Sequence, residues 1–182
     1  MTYIALLRGI NVGGQKSMKM ADIVKLFESL SFRNVRTYVQ SGNVIFESDL
    51  FDASTVAKRI QQKIQQTYGY AVNIIIRTPE ELKKVVSNNQ FVREHKTALD
   101  KLYVTFLADL ADERSLSDLE IKKDRNEKFI VKGKEIYLYC PNGYAKTKLN
   151  NATFEKKLKT IATTRNWKTT NKLLELSESK KM

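Results

Sequence analysis

Several residue types that carry protein chemistry are scarce in this sequence. One cysteine excludes an internal disulfide framework and any metal site built from several thiolates. One histidine, His95, leaves most zinc sites without their usual ligands. Two prolines and seven glycines in 182 residues exclude a low-complexity or linker chain. The sequence therefore predicts a globular protein with no metal site and no other cofactor.

Long apolar runs are missing as well. No segment approaches the roughly 20 apolar residues that span a bilayer. Residues 1–11 contain a short apolar run, but no basic segment precedes it and no small-residue cleavage signal follows it. We interpret this run as a core strand rather than a secretory signal. We expect a cytoplasmic protein with no membrane partner.

Negative charge is scarce in the last third of the chain. Residues 1–120 have a net charge of +2, whereas residues 121–182 have a net charge of +10, out of +12 in total. Such a local excess attracts anions, including nucleic-acid backbones. A solvated, lysine-rich surface would give the same pattern. The charge therefore keeps nucleic acid open as a partner without requiring one.

Hydrophobic periodicity divides the chain into two halves. In the first half we predict strands at 2–7, 34–39, 44–47 and 71–76, a helix at 19–30, a helix capped by Ser54 and ended by Gly69, and a helix from Thr78-Pro79 to about 88. Up to residue 76 the order is βαββαβ, that of a split βαβ or ferredoxin-like unit. The predicted fold class is α+β.

The second half repeats much of this order. We predict strands at 101–107, 128–131 and 135–139, helices at 112–119 and 153–159, and a last helix that contains Trp167 and Leu176 and is capped by Asn166. The second unit is thus a related βαββαα unit. The predicted domains are a ferredoxin-like α+β subdomain at 1–88 and a second α+β subdomain with basic C-terminal helices at 89–182. No repeat is visible in the residues, so the duplication is a hypothesis about topology.

The predicted topology brings three loops to one end of the first sheet. The loop after the first strand and the hairpin after the second lie at the same end of a βαββαβ unit, and the loop before the fourth strand opens there. Gly-rich backbone followed by a helix N-terminus suits a phosphate or carboxylate, although the same glycines could serve only to turn the chain. The candidate ligand-binding residues are Arg8, Asn11, Gly13, Gly14, Lys16, Gln40, Ser41 and Asn43.

The sequence partly matches two known patterns, a nucleotide-binding loop and an RNA-binding motif, but it lacks key residues of each. Gly9 and Gly14 have the spacing of a Walker A loop, but Gln15 stands where the lysine belongs. An RNA-recognition motif would carry stacking aromatics on its third strand, where this sequence has Asn43 and Ile45. We predict neither a P-loop nucleotidase nor a standard RNA-recognition surface.

The remaining candidate groups are few. Lys146, Lys148 and Arg165 are candidate nucleic-acid or anion contacts, although helix capping and solvated lysines would explain the same residues. We interpret His95 as a surface residue and Cys140 as a buried, inert thiol. The acidic cluster at 109–113 could bind a cation but is more typical of a helix start. No catalytic residue is assigned.

Short runs spread over nearly the whole chain carry a family resemblance. They are residues 7–14 (LRGINVGG), 37–44 (TYVQSGNV), 77–82 (RTPEEL), 141–144 (PNGY), 148–149 (KL) and 162–167 (ATTRNW). Together they resemble the bacterial family called Domain of Unknown Function 1697, except that Ala-Lys-Thr at 145–147 stands where a Gly-Arg-Ser-like triplet is expected. The resemblance implies an α+β protein of two subdomains related to the ferredoxin-like fold. It implies no activity.

Three functional hypotheses follow. The first is a protein that binds an anionic or phosphorylated ligand, nucleic acid included, at the converging Gly-rich loops. The second is a small enzyme acting on a phosphorylated metabolite, with Arg8 and Lys16 holding the anion, although no general base is evident. The third is an interaction module whose sheet edges pair with a partner protein. The loops favour the first, and the sequence leaves the ligand and the oligomeric state open.

Overall fold

The structure is a computed structural model that describes residues 1–14, 16–94, 96 and 98–179. His95 lies outside the described residues, as does Gln15. The chain forms two compact units, one comprising residues 1–83 together with the segment from Lys172 onward, the other comprising residues 84–171. The predicted domains, 1–88 and 89–182, stay a prediction.

The first unit contains a four-stranded sheet and its helices. Its elements are β1 (Thr2–Leu7), α1 (Met20–Glu28), β2 (Arg33–Tyr38), β3 (Asn43–Glu47), α2 (Ala53–Tyr68) and β4 (Ile74–Arg77), and α3 (Pro79–Ser87) follows. The strand order is β2-β3-β1-β4, and every neighbouring pair is antiparallel. With the second sheet below, this confirms the α+β class.

The ends of the helices follow from local capping chemistry. The prediction that Ser54 caps α2 is wrong, because Asp52 accepts the hydrogen bond from the Thr55 backbone N–H at 2.8 Å and the helix begins at Ala53. Gly69 ends α2 as predicted, with a φ of +79° that favours glycine. Thr78 and Glu81 form a reciprocal capping box at the start of α3.

The core of the first unit lies between one face of its sheet and helices α1 and α2. Alternate residues of β1, namely Tyr3, Ala5 and Leu7, belong to this core. The ring of Phe46 packs 5.1 Å from that of Phe27, centroid to centroid. Burying one such aromatic side chain contributes about 1.5–3 kcal/mol to stability. The loops at the ends of the sheet are thus attached to a packed core.

The second unit contains another four-stranded sheet. Its elements are α4 (Phe91–Glu94), β5 (Leu102–Leu107), α5 (Glu113–Ser117), β6 (Lys128–Lys132), β7 (Glu135–Tyr139), α6 (Asn151–Leu158) and β8 (Ala162–Asn166), and α7 (Trp167–Glu178) follows. The strand order is β6-β7-β5-β8, again antiparallel throughout. Phe154 and Leu158 of α6 pack in the core of this unit with Leu107 and Leu138.

The predicted βαββαα order of the second unit is wrong, because residues 162–166 form the strand β8, which pairs with β5 from Tyr103↔Asn166 to Leu107↔Ala162. The run Ala-Thr-Thr-Arg-Asn has no alternation of apolar residues, so periodicity does not mark it. Its β-branched threonines nevertheless suit a strand. Asn166 caps α7 as predicted, since its side-chain oxygen accepts from the Thr169 backbone N–H at 2.7 Å.

The C-terminal end of α7 belongs to the first unit, because Arg36 of β2 holds it there. The Arg36 guanidinium donates from Nη2 to the Leu176 carbonyl at 2.6 Å and from Nη1 to the Ser179 hydroxyl at 3.2 Å. A cation at the carbonyl end of a helix also interacts favourably with the helix dipole. The sequence pattern of α7 carries no sign of this contact.

Candidate functional site

Three loops meet at one end of the first sheet, as the sequence predicts. We define the loop cluster as residues 8–14, 16–17, 39–43 and 69–73. At the end of β1, the Leu7 N–H donates to the Gly42 carbonyl at 2.8 Å and the Arg8 N–H donates to the Asn73 carbonyl at 2.9 Å. These two bonds fasten the loop after β1 to the hairpin on one side and to the approach to β4 on the other.

Asn11 holds the Gly-rich loop closed. Its side-chain amide donates to the Met18 and Gln40 carbonyls, both at 2.9 Å, and its side-chain oxygen accepts from the Met18 N–H at 2.8 Å. Its φ of +54° is one that asparagine tolerates better than most residues. Asn11 therefore joins two of the loops structurally, and its amide is already satisfied by the protein.

Lys16 and Tyr70 fasten the third loop. The Lys16 ammonium donates to the Ala71 carbonyl at 2.7 Å, and the Tyr70 hydroxyl donates to the Ser17 carbonyl at 3.1 Å. Sequence reasoning included the loop before the fourth strand but assigned no role to Tyr70, Ala71 or Asn73. Ala71 and Asn73 contribute through backbone carbonyls, which every residue has, so the sequence cannot reveal these contacts.

The hairpin is packed tightly beneath the Gly-rich loop. Gly42 has a φ of +76°, and a Cβ there would lie 2.7 Å from the Ile10 Cδ1 and 2.8 Å from the Leu7 Cβ. Asn43 is fully buried, and its amide donates to the Tyr38 carbonyl at 2.9 Å and to the Ser41 hydroxyl at 3.0 Å. Asn43 thus shapes the hairpin from inside, whereas Gln40 and Ser41 are exposed.

The backbone of residues 9–13 alternates in the sign of φ. Gly9, Asn11 and Gly13 have φ values of +70°, +54° and +59°, and neither Ile10 nor Val12 between them has a positive φ. Val12 forms a β-bridge, so it is extended rather than helical, and the Asn11 N–H donates to the Lys16 carbonyl at 3.3 Å within the loop. Gly13 and Gly14 are exposed, with open space where a Cβ would stand. The loop backbone at residues 13–14 is therefore open to a small ligand.

All charged side chains of the loop cluster are positive. Its segments contain Arg8 and Lys16 and no aspartate or glutamate. Arg8 is half-buried and Lys16 is likewise partly covered. Burial from water strengthens the attraction between such cations and an anion.

The basic candidates in the last third do not form one exposed patch. Lys146 and Lys148 are exposed on the segment before α6. Arg165 is 7% exposed, and its Nη1 donates to the Thr163 hydroxyl at 2.8 Å and to the Thr164 carbonyl at 2.9 Å. Burial lowers the pKa of Arg165 to about 10. The assignment of these three residues as anion contacts stays a prediction.

Other reactive groups have structural roles. Cys140 is fully buried, as predicted, and burial raises the pKa of its thiol to about 11. Asp112 caps α5 by accepting from the Ser115 N–H at 2.8 Å, which fits the interpretation of the acidic cluster as a helix start. Among the residues that the structure describes, no group of acidic, histidine and cysteine side chains could hold a metal ion.

The corresponding end of the second sheet is built alike but carries different residues. There the Leu107 N–H donates to the Lys134 carbonyl at 2.8 Å and the Ala108 N–H to the Ile161 carbonyl at 2.9 Å. Ala108 thus takes the place of Arg8, and the run Asp-Leu-Ala-Asp at 109–112 replaces the Gly-rich loop. The Gly-rich loop and the cations Arg8 and Lys16 therefore belong to the first unit.

Two antiparallel sheets and a Gly-rich loop cluster define an α+β protein with a candidate anion site. The chain belongs to the bacterial family described as "Protein of unknown function (DUF1697)", which matches residues 1–137. It is similar in fold to "conserved bacterial protein SP0830 from Streptococcus pneumoniae", with a TM-score of 0.72 and 21% identity over 98% of each chain. No curated protein matches the sequence. In the described part of the chain, no helix has the length and apolar character needed to cross a membrane.

Proposed function

We propose that the protein binds a phosphorylated or otherwise anionic small molecule at the loop cluster. The observation that carries the proposal is the exposed glycine backbone at residues 13–14, which lies in the chain between two cations, Arg8 and Lys16, in a cluster without carboxylates. Accessible backbone N–H groups and nearby cations are the chemistry that binds phosphate groups in proteins.

The contacts within the loop cluster indicate which residues hold the loops in place and which can contact the ligand. Asn11 and Asn43 hold the loops and need not touch the ligand. Gly13 and Gly14 are exposed, with open space where a Cβ would stand, so a ligand can approach their backbone. The Lys16 ammonium has three N–H donors, one of which is bonded to Ala71, so a ligand oxygen can take another. Gln40 and Ser41 are exposed and can contact the ligand from the hairpin.

The proposal is tested by titrating the protein with inorganic pyrophosphate while its backbone amide signals are followed by NMR. We expect the largest shifts at Gly13 and Gly14 and an affinity about tenfold weaker in Lys16→Gln, since loss of one charge-assisted contact costs about 1.5 kcal/mol or more. Lys58→Gln is the matched control, because Lys58 is an exposed lysine of α2 outside the loop cluster. Equal effects of the two variants would contradict the proposal.

Nucleic acid is the competing outcome of the same experiment. A short RNA or DNA would bind with a steep dependence on salt. Binding that is lost in a Lys146→Gln, Lys148→Gln double variant, and that is indifferent to Lys16→Gln, would assign the activity to the basic segment before α6. It would contradict binding at the loop cluster.

We also propose that the first unit is of the ferredoxin-like class, supported by its βαββαβ element order and by the strand order β2-β3-β1-β4. A cytoplasmic location stays a prediction.

A further inference from the structure

A groove beside the loop cluster extends the candidate site. It lies between α2 and the segment that leads into β4, and its volume is about 350 Å³. Ligand pockets commonly have volumes of about 300–1,000 Å³. Its walls are four glutamines of α2, Gln61, Gln62, Gln65 and Gln66, and residues 71–73.

Resting on the proposed function, we infer that the anionic ligand is a nucleotide, whose phosphate groups lie on the Gly-rich loop and whose base lies in the glutamine groove. The inference deepens the proposed function, because it names the ligand class from a second and separate part of the surface.

The helix α2 presents the glutamines as a neutral polar strip. Gln61 and Gln65 are four residues apart, as are Gln62 and Gln66, so each pair forms a row along the helix surface. The core stripe of the same helix is Val56, Ile60 and Ile64. Each carboxamide has both donors and an acceptor and no net charge. Among the described residues, none of the four carboxamides makes a hydrogen bond.

This lining matches a nucleobase better than it matches a second charged group. A base has an apolar face and an edge that alternates donors with acceptors. The groove supplies carbon surface from Ala71, Val72 and the glutamine methylenes, and it supplies amide groups for the edge. None of its lining residues is charged.

The groove and the loop cluster have residues 71–73 in common. Ala71, which lines the groove, accepts the hydrogen bond from the Lys16 ammonium at 2.7 Å. Asn73, also in the lining, accepts from the Arg8 N–H at 2.9 Å. The Lys16 ammonium and the Arg8 backbone are therefore both bonded to the segment that forms one side of the groove. A molecule with a phosphate group and a base joined by a sugar can reach both places.

The test compares inorganic pyrophosphate, ribose 5-phosphate and the diphosphates of adenosine, guanosine, cytidine and uridine by calorimetric titration. We expect at least one nucleoside diphosphate to bind about tenfold or more tightly than pyrophosphate. In a Gln62→Leu, Gln66→Leu double variant, that advantage should fall to about twofold while the affinity for pyrophosphate stays unchanged. Both side chains are exposed and leucine favours helices, so the variant retains its fold, which circular dichroism verifies.

The matched control is Gln90→Leu, an exposed glutamine in the second unit. If pyrophosphate binds at Gly13 and Gly14 but no nucleoside diphosphate binds more tightly, the nucleotide inference is overturned and the proposed function stands. If the advantage of the nucleotide survives the double variant, the groove is not the base site and the inference is also overturned. If no phosphate compound binds, both fail together.

Discussion

Arg77 and Arg165 occupy the same position in the two sheets of this protein. Arg77 of β4 pairs with Ile4 of β1, and Arg165 of β8 pairs with Val104 of β5. In each case Nη1 donates to the carbonyl of the preceding residue at 2.9 Å. Their exposed fractions are 4% and 7%. Two buried arginines with the same register and the same local bond mark the two units as structural repeats.

The repeat extends to the ends of the central strands. The hydrogen bonds donated by the Leu7 and Arg8 N–H groups agree in length, within 0.1 Å, with those donated by the Leu107 and Ala108 N–H groups. The topological duplication suggested by the element order is therefore present, and it includes β8, which the sequence pattern does not show. The two repeats differ in the loop after their first strand, which is where the proposed function lies.

Replacement of Asn11 by alanine should loosen the loop cluster. The variant loses three hydrogen bonds that join the Gly-rich loop to Met18 and to Gln40. We expect the free energy of unfolding, measured in urea, to fall by about 1–3 kcal/mol. Asn34→Ala is the control, because Asn34 also has a positive φ, +51°, but is exposed on the edge strand β2. An equal loss in both variants would show that backbone strain alone is responsible.

Gly42→Ala should destabilise the protein more than Gly133→Ala. Both glycines lie in β-hairpins with positive φ, +76° and +62°, so each substitution carries a similar backbone strain of about 1 kcal/mol. At Gly42 the new methyl group also meets Ile10 and Leu7 at under 3 Å, whereas at Gly133 the nearest atom is 4.0 Å away. We expect an additional cost of about 1–3 kcal/mol at Gly42 in urea unfolding. A smaller cost at Gly42 than at Gly133 would contradict the packing described above.

The cap of α2 should make stability depend on pH. Hydrogen bonds from the Thr55 hydroxyl and from the Thr55 backbone N–H hold the pKa of Asp52 below its ordinary value of 3.8. A lowered folded-state pKa contributes stability that is complete above the unfolded-state pKa and is lost as the pH falls through the folded-state pKa. Asp52→Asn keeps a capping side chain but removes the charge.

We therefore expect the melting temperature of the wild type to exceed that of Asp52→Asn near neutral pH and the difference to shrink below about pH 4. Asp112→Asn, the corresponding change in the cap of the short helix α5, should behave in the same direction. A difference that stays constant from about pH 2 to pH 7 would exclude the charge of Asp52 as its origin.

Cys140 should be unreactive in the folded protein. It is the single cysteine, it is fully buried, and burial raises the pKa of its thiol to about 11. Because the thiolate is the nucleophile, reaction with a disulfide reagent at about pH 8 should be at least about 100-fold slower in buffer than in guanidinium chloride. Comparable rates in the two solvents would mean that the strand end at β7 opens readily.

Much of the first unit could be predicted from its residues. Short apolar runs marked β1 and β4, helical spacing marked α1 and α2, and Gly69 and Thr78-Pro79 marked helix ends. These signals are local, because they depend on which side of one element faces the core. The element order then placed the three loops at one end, and the hydrogen bonds from Asn11, Lys16 and Arg8 show that they meet there.

By itself, the sequence determined the composition, the charge distribution, the family resemblance and most of the element order, because these depend on residue identity and local periodicity. Tertiary structure alone decided that residues 162–166 form a strand, since β8 is stabilised by its pairing with β5 rather than by its own pattern. It also decided that Arg165 is buried, that Asn43 supports the hairpin from inside, and that Ala71 joins the loop cluster to the glutamine groove. These features depend on contacts between distant segments, many through backbone atoms that every residue shares.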